Sequence, residues 1–303
     1  LAEATLRVLL PATAAEFARR HGPAPGRGAA VLAMGSLGAR RLTATSDLDL
    51  IVIHDGGEAP SEGPRPLAPG SWYARLAQAL VTALSAPMSK GRLYEVDMRL
   101  RPSGRQGPVA TSLASFGAYQ REEAWTWEHL ALTRARVVAS VGDPALGPEV
   151  EALRRDVIAS RRGDPRVWPD LADMRRRLSG QGGPWDAKAG PGRLRDLDLF
   201  AQALALLAGS PGRGTDAQVA AGEEAGLLDA AEAATIREAS RLFWAVQAAA
   251  RLLLEGPLDP GALGEGGRRL LLREGGADTI PALADRLAAV AAGAAAAIGR
   301  RAS

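Results

Sequence analysis

Three aspartates and one Gly-Ser pair carry the residue types that phosphoryl chemistry needs. Gly35-Ser36 closes the apolar run Ala29 to Met34, and ten residues later Asp47-Leu48-Asp49 leads into Leu50-Ile51-Val52-Ile53. On a strand Asp47 and Asp49 share a face, about 7 Å apart at Cα. Two carboxylates at the mouth of an apolar strand repel unless a cation stands between them. Mg²⁺ suits that place, because it takes one or two carboxylates and completes its shell with substrate phosphates. A Gly-Ser turn leaving a strand permits close backbone approach to a phosphate. An Asp-x-Asp pair alone is weak, since many such pairs merely solvate a strand end.

A third carboxylate follows in Gly91 to Arg101, GRLYEVDMRLR. Tyr94, Val96, Met98 and Leu100 alternate with Glu95, Asp97, Arg99 and Arg101, which predicts an antiparallel strand with one packed face. In isolation the polar face reads as a solvated ladder of salt bridges. Beside an Asp-x-Asp strand, Asp97 can help hold a second metal and accept a hydroxyl proton. Arg99, Arg101 and Lys90 would then be available to phosphates.

The elements that position these groups read as follows. Residues 1 to about 20 form a helix, strands run over 29–34 and 47–53, and 56–70 is a Pro/Gly-rich loop. Ser71 to Leu84 has a helical period with Ser71 as N-cap. Ser112 to Ser140 reads as two helices, the second covering AWTWEHLALTRARVVAS. On that helix Arg134 and Arg136 diverge by about 200° and cannot share a site. Trp125 and Trp127 are expected in the core. His21, His54 and His129 show no metal-ligand spacing.

From about residue 150 the pattern becomes helix after helix, near 146–160, 168–179, 196–209, 215–226, 229–256 and 278–299. The division is therefore a catalytic domain over 1–145 and a helical bundle over 146–303. In the second half only WDAKAGPGRLRDLDLF, Trp185 to Phe200, looks chemical. Its bland reading is a glycine turn with Asp196 and Asp198 at a helix start.

Composition sets limits. The 303 residues carry 37 Lys and Arg against 34 Asp and Glu, a net charge of +3. That permits phosphate binding without implying a nucleic-acid surface. Cysteine is absent, which excludes disulfides and thiolate metal sites and fits a reducing cytoplasm. The N-terminus mixes acids and arginines and is no secretory signal. The longest apolar tract, Leu287 to Gly299, falls short of the ~20 residues of a membrane span, so no membrane association is expected. The chain does not begin with Met, which fits a piece of something longer.

GSLG…SDLDLIVIHD has the nucleotidyltransferase superfamily pattern. With LYEVDMRLRPSG, AYQREEAWTWEHLALTRARVV and DAKAGPGRLRDLDL in that order, the chain closely resembles the bifunctional glutamine-synthetase adenylyltransferase/deadenylylase family. YEVDMRLRPSG and EAWTWEH resemble its C-terminal, adenylylating half. The resemblance implies an α+β nucleotidyltransferase fold, with a mixed sheet and flanking helices, followed by an all-α bundle. It assigns Asp47, Asp49 and Asp97 to metal binding and catalysis, and Gly35 and Ser36 to the phosphate turn. Two departures stand out: Ser36 replaces the usual lysine, and Arg193 and Asp198 replace a glycine and a glutamate of the KxGxGGxxDxE block.

The implied reaction moves AMP from ATP to a tyrosine hydroxyl of glutamine synthetase, releasing pyrophosphate, with two Mg²⁺ ions. PII signalling protein and glutamine are the implied regulators. Phosphorolytic removal of AMP by the same site is one rival. A weakened module that only docks glutamine synthetase or a regulator is the other.

Overall fold

The computed structural model describes residues 1–89, 91–178, 180 and 182–302. The chain divides into two units, Leu1–Leu42 with Ser46–Ser160, and Thr43–Thr45 with Arg161–Ser303.

The first unit runs α1 (Ala2–His21), β1 (Gly28–Ala33), α2 (Gly35–Gly38), β2 (Leu48–Asp55), α3 (Pro69–Ser85), β3 (Val96–Asp97), β4 (Ala110–Ser112), α4 (Leu113–Glu122), α5 (Thr126–Thr133), β5 (Arg136–Gly142) and α6 (Leu146–Ser160). The sheet order is β3-β2-β1-β5, with β4 also pairing β2. β1 is antiparallel to both β2 and β5, whereas β3 and β4 run parallel to β2. β1 and β2 are apolar on both faces because both faces are covered. Val31, Ala33, Leu48, Leu50 and Val52 pack on α1 and α3, including Leu6, Leu10, Trp72 and Leu76. Ala30, Leu32, Ile51 and Ile53 pack on α4, α5 and α6 through Phe116, Leu132, Val150 and Val157. The fold is the mixed α+β arrangement that the sequence implied.

Several details differ from the sequence reading. The stretch around Asp97 pairs for two residues only, and parallel to β2 instead of antiparallel. Tyr94, Val96 and Met98 do pack together on one core, but Leu100 packs on the other. The chain turns between them, where Arg101 N meets the Met98 carbonyl at 3.4 Å.

The expected helix through Ala124 to Ser140 ends at Thr133, and Arg136 to Gly142 is a full strand on β1. Its Arg-Val-Val-Ala-Ser-Val run has the β-branched content that a strand favours. Trp125 and Trp127 lie outside the core, 71% and 42% exposed. Trp125 is the N-cap of α5, and the inward side of that helix is filled by Glu128, His129, Leu130, Leu132 and Thr133. α3 starts earlier than expected, at Pro69 with Ala68 as N-cap, because proline suits the first helical turn.

The second unit is all helical: α7 (Val167–Leu178), α8 (Leu194–Ala208), α9 (Thr215–Glu224), α10 (Ala230–Leu253), α11 (Glu265–Gly275) and α12 (Ile280–Gly299). α11 had no sequence forecast, since its Gly266-Gly267 start disfavours a helix. An 18-residue window within Glu265–Gly299 reaches a mean hydropathy of 1.4, apolar enough by length and composition to cross a membrane. α12 buries Leu283, Leu287, Ala291, Ala294 and Ile298 along one face, an amphipathic pattern, and carries Asp285 and Arg286.

Candidate active site

β2 and β3 bring two of the predicted carboxylates together. Asp49 and Asp97 are register partners across the parallel pair, so their side chains leave the same face of the sheet about 4.8 Å apart at the backbone. Val96 and Met98 face the α1–α3 core, which sends Asp97 to the opposite face. Asp47 lies just before β2 and is exposed, while Asp49 and Asp97 are half-buried.

The Gly-Ser segment is a single helical turn, α2, following directly on β1. Met34 N donates to the Asp49 carbonyl at 2.8 Å, fixing the start of the turn against β2. Gly35 has φ +49°, and a β-carbon there would stand 2.4 Å from Asp49 Oδ2. Glycine is therefore required twice, for the left-handed backbone and for the space that Asp49 occupies. Gly38, Ala39 and Arg41 N–H groups bond back to Met34, Gly35 and Ser36 carbonyls. The first N–H groups of such a turn, those of Gly35 and Ser36, have no intrahelical acceptor.

Arg99 grips Asp97. Its Nε donates to Asp97 Oδ2 at 2.6 Å and its backbone N to Oδ1 at 2.8 Å. The Arg99 hydrogen bond holds the Asp97 carboxyl below the usual carboxylate range, against the opposing effect of burial. In return Asp97 raises the Arg99 guanidinium, with Asp49 and Asp47 adding to the same field. The three aspartates and Arg99 thus form one electrostatic group. Arg101 is directed elsewhere: it donates to the carbonyls of Met98 (2.7 Å), Gly107 (3.2 Å) and Arg105 (3.3 Å) and braces the loop after Asp97. Lys90 lies outside the described residues.

Among the described residues, no three His, Asp or Glu side chains stand close enough together to hold a metal ion. The donor chemistry nevertheless fits Mg²⁺. All the donors are hard carboxylate oxygens, and a cation, the Arg99 guanidinium, already sits on Asp97 within the field of Asp47 and Asp49.

Sequence reasoning missed two supporting residues. Glu128, buried in α5, accepts the Tyr119 hydroxyl at 2.9 Å and the Trp125 N–H at 3.0 Å. Burial pushes its carboxyl up. The other is Arg136, which the helical reading placed on a helix with Arg134, where the two could not share one site, and which lies on β5 instead. The Glu at the third helical position was a capping signal; nothing in the local pattern pointed to Arg136.

In the second unit, Arg175 holds Asp196 at 2.6 and 3.1 Å, and Gly192 N donates to the same carboxylate at 2.8 Å. Gly190 and Gly192 have φ +123° and +68°, but Arg193 sits at φ −100°. The residue that replaces the family's glycine therefore lies outside the left-handed region. Its guanidinium donates to the carbonyls of Gly183 (2.7 Å), Asp186 and Ala189. Asp198 Oδ1 accepts the Thr215 hydroxyl at 3.3 Å.

A carboxylate pair on adjacent strands thus lies beside a glycine turn at the end of β1, the arrangement expected of a nucleotidyltransferase-type site. The family model for glutamate–ammonia ligase adenylyltransferase matches residues 1–152, and that for PII-uridylyltransferase matches residues 174–256. The chain belongs to the glutamate–ammonia ligase adenylyltransferase family.

Curated relatives named bifunctional glutamine synthetase adenylyltransferase/adenylyl-removing enzyme align along most of it. The protein of Brucella suis is 43% identical over 91% of this chain and 29% of its own length. That of Mesorhizobium japonicum is 42% identical over 86% and 27%, and that of Bradyrhizobium diazoefficiens 39% identical over 95% and 30%. The chain thus spans less than a third of the relatives it matches.

Proposed function

We propose that the first unit transfers AMP from ATP to a tyrosine hydroxyl of glutamine synthetase, releasing pyrophosphate. The observation that carries this reading is the Asp49–Asp97 pair in register beside the Gly35 turn. Asp47, Asp49 and Asp97 would hold Mg²⁺. Bound there, Mg²⁺ would supply charge neutralisation at the phosphates and a lowered pKa for the attacking hydroxyl.

The chain's own groups do the rest. N–H groups of Gly35 and Ser36, with the Ser36 hydroxyl, hold the polyphosphate as charge grows on the leaving pyrophosphate. The tyrosine oxygen attacks the α-phosphorus, the new O–P bond forms and the bond to the β-phosphate oxygen breaks. Asp97, oriented by the Arg99 backbone N–H, takes the hydroxyl proton. A free tyrosine has a pKa of ~10, so an oriented acceptor for that proton is needed at neutral pH. Arg99, on leaving Asp97, offers a guanidinium to the phosphates.

A second reading is favoured by the relatives' names, which couple adenylyl transfer with adenylyl removal. The same groups would then catalyse phosphorolysis of adenylyl-tyrosine, yielding ADP. The match of 174–256 to a PII-uridylyltransferase model supports regulation through PII protein.

Incubation with unmodified glutamine synthetase, Mg²⁺ and α-labelled ATP tests the main reading. Label on one tyrosine, absent with γ-labelled ATP, is the expected result. ADP from adenylylated glutamine synthetase plus phosphate, with no forward labelling, would transfer the assignment to the removal reaction. Neither product, with no Mg·ATP bound, would leave the docking module.

A further inference from the structure

Arg136 opens β5 directly opposite Ala33, the last residue of β1 before the phosphate turn. From that register position its side chain, only 11% exposed, reaches the carbonyl end of α2. Nη2 donates to the Leu37 carbonyl at 3.1 Å and Nε to the Gly38 carbonyl at 3.4 Å. The same Nη2 donates to Glu3 Oε1 at 2.6 Å, from the first turn of α1. On its other side the turn rests on bare backbone, where a β-carbon on Gly38 would stand 2.3 Å from the Arg134 carbonyl and 2.8 Å from that of Ala33.

We infer that Arg136, held in place by Glu3, is a positioning residue for nucleotide binding: it clamps the carbonyl end of α2 and so fixes the Gly35-Ser36 turn against Asp49. This rests on the reading of the site as a nucleotidyltransferase site. The planar fork serves two carbonyls and a carboxylate at fixed directions, which a lysine's single ammonium cannot reproduce. Arg136 is not needed merely to fasten α1 to β5, because Arg7 Nε already donates to the Val138 carbonyl at 3.2 Å. Glu3 gathers Arg136, Arg7 and Arg40 around one carboxylate, so the clamp joins α1 to the turn without touching any reacting atom.

The test compares Arg136→Lys and Glu3→Gln with the unchanged 303-residue chain. Hydrogen exchange is read at the Gly38, Ala39, Arg40 and Arg41 amides, all of which bond within the turn. Arg136→Lys is expected to speed exchange there about tenfold or more while core amides of β1 and β2 keep their protection. It should also raise KM for Mg·ATP about tenfold with kcat altered less than about threefold, the signature of lost binding rather than lost chemistry. Glu3→Gln should move both readouts the same way and less far.

Unchanged exchange in the turn, or an unchanged KM despite a lower melting temperature, would overturn the inference and leave Arg136 a structural strut. If the unchanged chain binds no Mg·ATP, the nucleotidyltransferase reading falls and the nucleotide role of the clamp with it. The exchange experiment then still decides whether the clamp exists. Should Glu3→Gln fail to fold, Arg136→Lys alone decides.

Discussion

The Asp49 carboxylate occupies the space that a β-carbon on Gly35 would need, with Oδ2 2.4 Å from that position. One glycine thereby sets both the shape of the turn and the direction of the Asp49 carboxylate. Gly35→Ala is expected to push Asp49 aside and cut adenylyl transfer at least about a hundredfold, since an ångström of misplacement costs that much. The left-handed backbone at φ +49° adds a stability loss of about 1–2 kcal/mol. Parallel measurement of kcat and melting temperature separates the two effects. An active, merely less stable variant would show that Asp49 does not depend on Gly35.

Glu128 caps α5 and anchors Tyr119 from inside the fold. Glu128→Ala strands the Trp125 N–H and the Tyr119 hydroxyl and should cost about 2 kcal/mol. Glu128→Gln keeps much of the shape and should cost less. The sign with pH follows from burial, which raises the folded carboxyl above its ordinary 4.5. That contribution is complete below the unfolded pKa and is lost as pH rises through the folded one. Chemical denaturation from pH 4.5 to 7 should therefore show Glu128→Gln closing on the parent as pH rises; a constant gap would contradict it.

His54 is buried near the far end of β2, stacked on Tyr73 at 4.4 Å and 9° between planes. Burial lowers its pKa below 6.5, with Asp55 pulling weakly the other way. The neutral ring suits the fold, so stability holds above pH 6.5 and falls below it, by at most about 1.4 kcal/mol per pH unit. Glu149 and Glu3 are lowered by their arginines, and Asp143 by the Ala145 backbone N–H and then by Arg27, so their losses come at more acid pH. Urea midpoints at pH 7.5 and 5.5 should differ for the parent and much less for His54→Phe, which keeps the stack. Equal drops in both proteins would rule His54 out.

The sequence made the carboxylates legible because their spacing is local. Asp47 and Asp49 share one strand end, and Asp97 lies on a clean polar–apolar alternation. Pairing was not legible: two ladder residues at Val96–Asp97 leave the same alternation as a full strand would. β5 was hidden by α5 before it, since His-Leu-Ala-Leu-Thr-Arg-Ala-Arg continues a helical period and only contact with β1 reverses it. That error also hid Arg136. The Trp125 and Trp127 rings are apolar by type and exposed by position, because Glu128 takes the inward place on α5. At the second glycine block the left-handed positions fall on Gly190 and Gly192, and Arg193 lies outside them.

The central claim is that Asp49 and Asp97 act together on one nucleotide. The direct measurement is transfer of α-labelled AMP to glutamine synthetase by the parent, Asp49→Asn and Asp97→Asn, alongside their melting curves. Both sites are half-buried, so the melts should stay within a few degrees of the parent, the shift expected for a change of about 1 kcal/mol or less. Labelling should fall at least about a thousandfold in each variant. Full labelling by either variant, with an intact fold, would contradict the account.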